Sequence, residues 1–77
     1  MTPELKLQAL KTLTAFLKAP ANKNKTIDGY KLALAFNTEY KTHLDWHEFS
    51  AFLDWLHTIG LLTHAGFNSD GMTQYSF

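Results

Sequence analysis

Apolar residues recur at helical spacing in the opening segment of the chain. At about 100° per residue they gather on one side of a predicted helix, and they are Leu5, Ala9, Leu10, Leu13, Phe16 and Leu17. Thr2 suits the N-cap, Pro3 suits the first helical position because its missing N–H costs nothing there, and Glu4 places an acid in the first turn. The pattern predicts an amphipathic helix over residues 3–18.

A polar, Pro-containing segment without periodicity follows at residues 19–25 and predicts a basic loop. The next helical pattern extends over residues 27–41, with Thr26 expected as its N-cap and with Gly29 weakening its first turn by ~1 kcal/mol relative to Ala. Its clearest apolar arc contains Leu32, Ala33, Phe36 and Tyr40. A second apolar stripe, which needs either the first helix or a partner to cover it, contains Ile27, Tyr30 and Leu34.

The third helical pattern, over residues 46–59, has the clearest ends. Asp45 can cap it while Glu48 reaches back to the Asp45 N–H, a variant of the capping box, and Gly60 stops it in the left-handed position. About half its circumference is apolar, through Trp46, Phe49, Phe52, Leu53, Trp55, Leu56 and Ile59. We therefore expect this helix at the centre of the core.

After Gly60 the pattern changes to short strand-like runs at residues 61–65 and 72–77, which flank a turn-rich segment at residues 66–71. These runs predict a β-hairpin over about residues 61–77. The expected fold class is mainly α with a C-terminal β-hairpin.

Composition limits the classes of protein that fit. The 77 residues make one domain, and the absence of Cys excludes disulfides and thiolate metal sites as supports for its core. A hydrophobic fraction of 45% is enough for ordinary globular packing. No apolar run approaches the ~20 residues of a membrane span, and no secretory signal opens the chain, so we expect a cytoplasmic protein without a membrane partner.

The charges are divided unevenly along the chain, although the formal net charge is zero. Residues 1–41 hold seven Lys and three acidic residues, a charge of +4, whereas residues 42–77 hold four acidic residues and no Lys, a charge of −4. The chain has no Arg, the residue that supplies bidentate contacts to guanine edges and phosphates.

The order helix, helix, short turn, helix and hairpin resembles the winged helix-turn-helix superfamily. In that family a Leu-x-x-x-Gly-Leu-[Ile/Leu] ending of the third helix leads into the wing, and residues 56–62 are Leu-His-Thr-Ile-Gly-Leu-Leu. The resemblance covers nearly the whole chain. It implies one winged-helix-like domain over residues 1–77, with a three-helix core plus wing, and a third helix whose exposed face enters the major groove of DNA.

The exposed arc of the third helix departs from that pattern, since it contains His47, Ser50, Ala51, Asp54, His57 and Thr58. Asp54 near phosphates would cost energy, and no cation on this face or in the hairpin supplies counterion release. If the chain binds DNA, we expect the contacts to come from Lys18, Lys23, Lys25, Lys31, Lys41, His47 and Ser50. The simpler interpretation of the lysines is solubility.

Exposed apolar residues offer a protein-binding alternative. Trp46 and Trp55 lie on opposite margins of the apolar arc, where a partly exposed Trp can anchor an interface. The candidate interface residues are Trp46, Trp55, Leu34, Tyr30, His47 and Asp54. The simpler interpretation is that most aromatic residues of the third helix and the hairpin are core and that the helix face is merely solvated.

Catalytic and metal-binding patterns are weak. His43 and His47 have i, i+4 spacing, but Asp45 as the cap leaves His43 in the turn, and no third ligand stands at a suitable spacing. The His-Glu-x-x-His pattern of zinc proteases fails at its last position, which is Ala51. We expect no enzyme, no metal, no cofactor and no small-molecule substrate.

The sequence therefore favours a small non-enzymatic regulatory protein on a winged-helix-like scaffold. It would bind a protein partner, or itself as a homodimer, through exposed aromatic residues and complementary charge. The alternative is a DNA-binding transcriptional regulator, sequence-specific or non-specific, that uses the Lys-rich loop and second helix with the third helix in the groove.

Overall fold

A computed structural model describes residues 2–19 and 26–76 of the chain. In chain order, the elements within these ranges are α1 (Pro3–Lys18), α2 (Gly29–Tyr40), α3 (Trp46–Thr58), β1 (Thr63–Phe67) and β2 (Thr73–Ser76). The expected class, mainly helical with a C-terminal antiparallel hairpin, is confirmed.

The first helix begins as its sequence predicts and is tied to α2 by a polar bond. The Thr2 hydroxyl accepts a hydrogen bond of 3.2 Å from the Leu5 amide and so caps α1. Thr12 is buried and donates from its hydroxyl to the Glu39 carboxylate of α2 at 3.1 Å. This bond satisfies a buried hydroxyl and links the two helices.

The start of α2 corrects the predicted helix over residues 27–41. The helix begins at Gly29, and its N-cap is Asp28 rather than Thr26. The Asp28 carboxylate oxygen Oδ1 accepts a hydrogen bond of 2.8 Å from the Lys31 amide. Asp28 is the stronger cap because its carboxylate satisfies a free amide of the first turn and is also favoured by the helix dipole.

Ile27 lies before α2 and forms an isolated antiparallel bridge with Tyr75 of β2. Its amide donates to the Tyr75 carbonyl at 3.0 Å, and the Tyr75 amide donates to the Ile27 carbonyl at 2.8 Å. Both residues are buried. The periodicity that placed Ile27 in a helix is therefore overridden by a pairing with a distant part of the chain.

Gly29 lies where α2 packs on α3. A Cβ atom at this position would collide with the Ser50 hydroxyl and would lie 2.8 Å from the Ser50 amide nitrogen. The missing side chain thus allows close contact between the two helices. As the first residue of α2, Gly29 also disturbs helix formation less than a Gly inside the helix would.

The turn between α2 and α3 is organised by Asn37. Its amide nitrogen donates to the Leu44 carbonyl at 2.9 Å, and its oxygen accepts from the Thr42 hydroxyl at 2.7 Å and from the Leu44 amide at 3.0 Å. Lys41 ends α2 in the left-handed conformation, with φ of 53°. These bonds fix the direction in which the chain enters α3.

The hairpin pairs Thr63 with Ser76 at one end and Phe67 with Thr73 at the other, with a register irregularity between His64 and Gly66. Tyr75 is buried, whereas Phe67 is 74% exposed. The apolar core, formed by all three helices with β2 and the segments that flank the helices, contains Ala9, Leu13, Ile27, Leu32, Ala33, Phe36, Phe49, Phe52, Leu53, Leu56, Leu62 and Tyr75.

Candidate functional site

Several large apolar side chains of the described residues are exposed to solvent. They are Leu7, Tyr30, Leu34, Trp46, Trp55, Ile59, Leu61 and Phe67. Single exposed apolar residues are ordinary, whereas adjoining ones mark interaction sites. Which of these residues adjoin each other therefore decides where a site lies.

Tyr30, Leu34 and Trp46 meet in a shallow cleft between α2 and the start of α3. Tyr30 and Leu34 are one helical turn apart and so share a face of α2. Trp46 is the first residue of α3, and the turn organised by Asn37 brings it to that face. Of the second apolar stripe predicted for α2, Tyr30 and Leu34 are exposed to solvent beside Trp46, whereas Ile27 is buried.

A second cleft lies between Trp46 and the hairpin turn, and its walls include Tyr30, Asp70 and Met72. Its volume of about 340 Å³ is near the lower limit of the ~300–1,000 Å³ typical of small-molecule pockets. A third cleft, between α3 and β2, adds Asp54 to the same wall of residues. Because Trp46 lines all three clefts, they form one continuous surface.

We call this set of residues the Trp46 surface; its members are Tyr30, Leu34, Trp46, Asp54, Asp70 and Met72. It contains four of the six residues that the sequence predicts for a protein interface. Asp70 and Met72 were not among them. Their part in the surface depends on where the hairpin turn lies, which local patterns do not show.

The hairpin turn is held against α2 by Asp28. Its carboxylate oxygen Oδ2 accepts a hydrogen bond of 2.8 Å from the Asn68 side-chain amide. The Asn68 oxygen in turn accepts from the amides of Asp70 and Met72, each at 2.9 Å. Asp28 is only 2% exposed, so this chain of bonds runs from a buried cap to the edge of the Trp46 surface.

The Trp46 surface is acidic. Asp54 and Asp70 are exposed beside Trp46, and Asp45 lines the cleft between α2 and α3. Among the residues that the structure describes, no lysine lines any of the three clefts. An approaching cation would therefore meet carboxylates without a competing positive charge.

His47 lies at the edge of this surface. Its ring centroid is 3.6 Å from that of Trp46, with the ring planes 30° apart. The Asp45 carboxylate caps α3 by accepting a hydrogen bond of 3.1 Å from the His47 amide. Asp45 is thus the N-cap as predicted, but within the described residues the Glu48 side chain does not bond the Asp45 amide, so the predicted capping box does not form.

Trp55 lies apart from Trp46. The Lys6 ammonium nitrogen of α1 lies over the Trp55 ring, 4.7 Å from the ring centroid. Trp55 also lines a separate cleft with Glu48, Ala51 and Phe52. Its 42% exposure is similar to the 37% of Trp46. The two tryptophans predicted for one interface therefore occupy different surfaces.

Three of the five lysines predicted for DNA binding lie in the part of the chain that the structure describes. Lys23 and Lys25 lie outside the described residues. Lys18, Lys31 and Lys41 are exposed. Lys31 and Lys41 lie near opposite ends of α2, and ten residues of helix separate them by about 15 Å.

The exposed arc predicted for α3 needs one correction. The residues exposed as predicted are His47, Ala51, Asp54, His57 and Thr58. Ser50 is half-buried, because it packs against Gly29. A half-buried hydroxyl at a helix contact is poorly placed for the base edges that the DNA-binding alternative assigned to it.

A histidine pair connects α3 to the hairpin and was not anticipated. The His57 and His64 rings stack with centroids 3.8 Å apart and planes 14° apart. A His57 ring nitrogen, Nδ1, lies 3.1 Å from the Leu62 carbonyl oxygen, and the edge of the Tyr75 ring packs on His64. The pair lies near the end of α3, and neither histidine lines the clefts of the Trp46 surface.

Within residues 2–19 and 26–76, no three His or acidic side chains are grouped so that they could hold a metal ion, and no helix is long and apolar enough to cross a membrane. The side chains of the Trp46 surface offer apolar contact, hydrogen bonding and negative charge. Comparison of the chain with protein-family models, with curated proteins and with solved structures gives no match.

Proposed function

We propose that the chain is a non-enzymatic, winged-helix-like interaction domain that binds a protein partner through the Trp46 surface. The observation that carries this proposal is the meeting of Tyr30, Leu34 and Trp46 in open clefts. Aromatic side chains of this kind dominate the energetics of protein interfaces. A regulatory role would follow from occupancy of this surface by a partner.

The winged-helix-like assignment is supported by the order of elements. Three helices, a short turn before α3 and a hairpin after Leu62 follow the layout of that superfamily. The bridge between Ile27 and Tyr75 also joins the hairpin to the segment before α2. Because one fold supports many functions, this likeness does not by itself favour DNA as the partner.

The charges near α3 argue for a protein rather than DNA. In the winged-helix arrangement the exposed face of α3 would enter the major groove beside the wing. Here that face carries Asp54, and the hairpin turn carries Asp70. Phosphates would meet two carboxylates there, while counterion release by cations is what supplies most non-specific affinity for DNA.

Panning of a random peptide display library against the immobilised chain tests the proposal. Trp46→Ala removes the centre of the surface, and Trp55→Ala is the matched control because Trp55 is similarly exposed but lies elsewhere. We expect peptides that bind the wild type and Trp55→Ala but not Trp46→Ala. Selection of peptides that bind Trp46→Ala as well as they bind the wild type, or no enrichment of any peptide, would overturn the proposal.

Fluorescence anisotropy of a labelled random duplex tests the alternative directly. At about 50 mM salt the proposal predicts no binding, whereas a DNA-binding protein would bind there and lose affinity steeply by about 200 mM.

Sedimentation velocity over a range of concentrations tests the homodimer. If the wild type forms a dimer and Trp46→Ala is a monomer, the surface mediates self-association.

A further inference from the structure

The Trp46 surface combines apolar contact on one side with negative charge on the other. Toward α2, the cleft wall is mainly apolar, with Ala33, Leu34 and Leu44, and Asp45 lies at the same cleft. Toward the hairpin, the walls contain Asp54, Asp70 and Met72. Trp46 stands between the two sides, so a single ligand segment that contacts Trp46 can reach both.

We propose that the partner segment is a basic peptide in which an arginine lies close to an apolar residue, the apolar side chain packing by Leu34 and the guanidinium lying by Trp46, Asp54 and Asp70. This inference rests on the proposed function and names the chemistry of the partner. It deepens that proposal through charge complementarity, since the described residues place carboxylates and no lysine along these clefts.

Arginine fits the hairpin side of the surface better than lysine does. A guanidinium can stack on an indole ring and at the same time donate in a fixed fork to a carboxylate, whereas an ammonium is a more strongly hydrated point charge. His47 covers part of the Trp46 ring at 3.6 Å. The ring nevertheless lines both clefts and is 37% exposed, which leaves area for stacking.

Because the chain has no Arg, its sequence distinguishes between a different protein and a second copy of the chain as the partner. With seven Lys, four His and no Arg, a second copy of this chain could offer ammonium and imidazole groups but no guanidinium to Asp54 and Asp70. The residues that favour a guanidinium therefore favour a different protein over self-association.

The two clefts set the spacing that we expect in the ligand. Because Tyr30 and Trp46 line both the apolar cleft and the cleft beside Asp70, the clefts adjoin each other. In an extended peptide, residues i and i+2 face the same side about 7 Å apart. An apolar residue two positions from an arginine is thus the simplest sequence that reaches both clefts.

The decisive experiment compares which residues are enriched when the display library is panned against four forms of the chain. These are the wild type, Trp46→Ala, Trp55→Ala and the double variant Asp54→Asn/Asp70→Asn. Both carboxylates are exposed and neither forms an ion pair in the described part of the chain, so the double variant should fold. Circular dichroism checks that each form is folded.

We expect the wild type and Trp55→Ala to enrich arginine near an apolar residue, and Trp46→Ala to enrich neither. The double Asn variant should keep the apolar preference and show a clearly weaker arginine preference, since Asp45 is then the one carboxylate left among the described residues that line the three clefts. For an individual selected peptide, we expect the double Asn variant, or replacement of the arginine by lysine, to weaken binding about three- to tenfold.

Two other outcomes separate the inference from the function on which it rests. Enrichment that depends on Trp46 but shows no arginine, or an arginine preference as strong in the double Asn variant as in the wild type, would overturn the arginine inference and leave the proposed function standing. Absence of any enrichment dependent on Trp46 would overturn both. Concentration-dependent dimerisation through Trp46 would replace the peptide by a second copy of the chain.

Discussion

The buried carboxylate of Asp28 accepts a hydrogen bond of 2.8 Å from the side-chain amide of Asn68, which lies in the hairpin turn. The same carboxylate caps α2 through the Lys31 amide. One side chain therefore joins the start of a helix to the tip of the hairpin. The acidic wall of the Trp46 surface depends on this connection, because Asn68 also binds the amides of Asp70 and Met72.

Asp28→Asn tests the connection while retaining a capping residue. The new amide can still accept from Lys31, but its nitrogen would then face the nitrogen of Asn68, two donors without an acceptor. We expect a loss of about 1–3 kcal/mol in the free energy of unfolding, the usual cost of a buried unsatisfied polar group. Urea denaturation measures it.

The exchanged pair Asp28→Asn/Asn68→Asp is the control for that prediction. It places a donor at position 28 and a carboxylate at position 68, which can still accept from the amides of Asp70 and Met72. We expect the second substitution to recover a large part of the lost stability. If the loss of stability in the double variant equals the sum of the losses in the two single variants, the two side chains are not coupled in the folded state.

Gly29→Ala should destabilise the chain even though Ala favours helices. At an open helical site this substitution would stabilise the protein by up to about 1 kcal/mol. Here the added Cβ would meet the Ser50 hydroxyl and lie 2.8 Å from the Ser50 amide nitrogen, so α2 and α3 must move apart. We expect a net loss of about 1–3 kcal/mol, typical of overpacking, in thermal or urea unfolding.

Ser50→Ala in the Gly29→Ala background provides a further check. Removing the hydroxyl should recover part of the lost stability, and the backbone contact should prevent full recovery. A Gly29→Ala variant as stable as the wild type would contradict the close packing of α2 on α3.

Lys41→Gly should stabilise the chain. Lys41 ends α2 with φ of 53°, a conformation that costs an ordinary residue about 1 kcal/mol and Gly almost nothing. We expect a gain of about 0.5–1 kcal/mol in the free energy of unfolding. Lys11→Gly, the same change at an exposed position inside α1, is the matched control and should cost about 1 kcal/mol.

The ends of the elements that are set by neighbouring residues were predictable from the sequence. Thr2 and Asp45 cap their helices as expected, and Gly60 follows α3 with φ of 85°. The start of α2 was not predictable in this way. Ile27 pairs with Tyr75, and no local pattern shows a hydrogen-bond partner in another part of the chain.

The candidate site was predictable only in part, for the same reason. Tyr30 and Leu34 were visible as an apolar stripe without a partner, and Trp46 as a residue at the margin of an apolar arc. Periodicity cannot tell which margin α1 covers, so Trp55 was grouped with Trp46 although it packs beside Lys6. No local sequence pattern marks Met72 as a site residue, because its position is determined by the hydrogen bonds from Asp28 through Asn68.

The proposed function requires a protein segment to bind at Trp46 and not at Trp55. The chain has only two Trp, so an NMR spectrum of the ¹⁵N-labelled protein contains two indole N–H signals, which Trp46→Phe and Trp55→Phe assign. On titration with a selected peptide, we predict that the Trp46 signal shifts and the Trp55 signal stays in place. A shift confined to Trp55, or no shift of the Trp46 signal at saturation, would contradict the account.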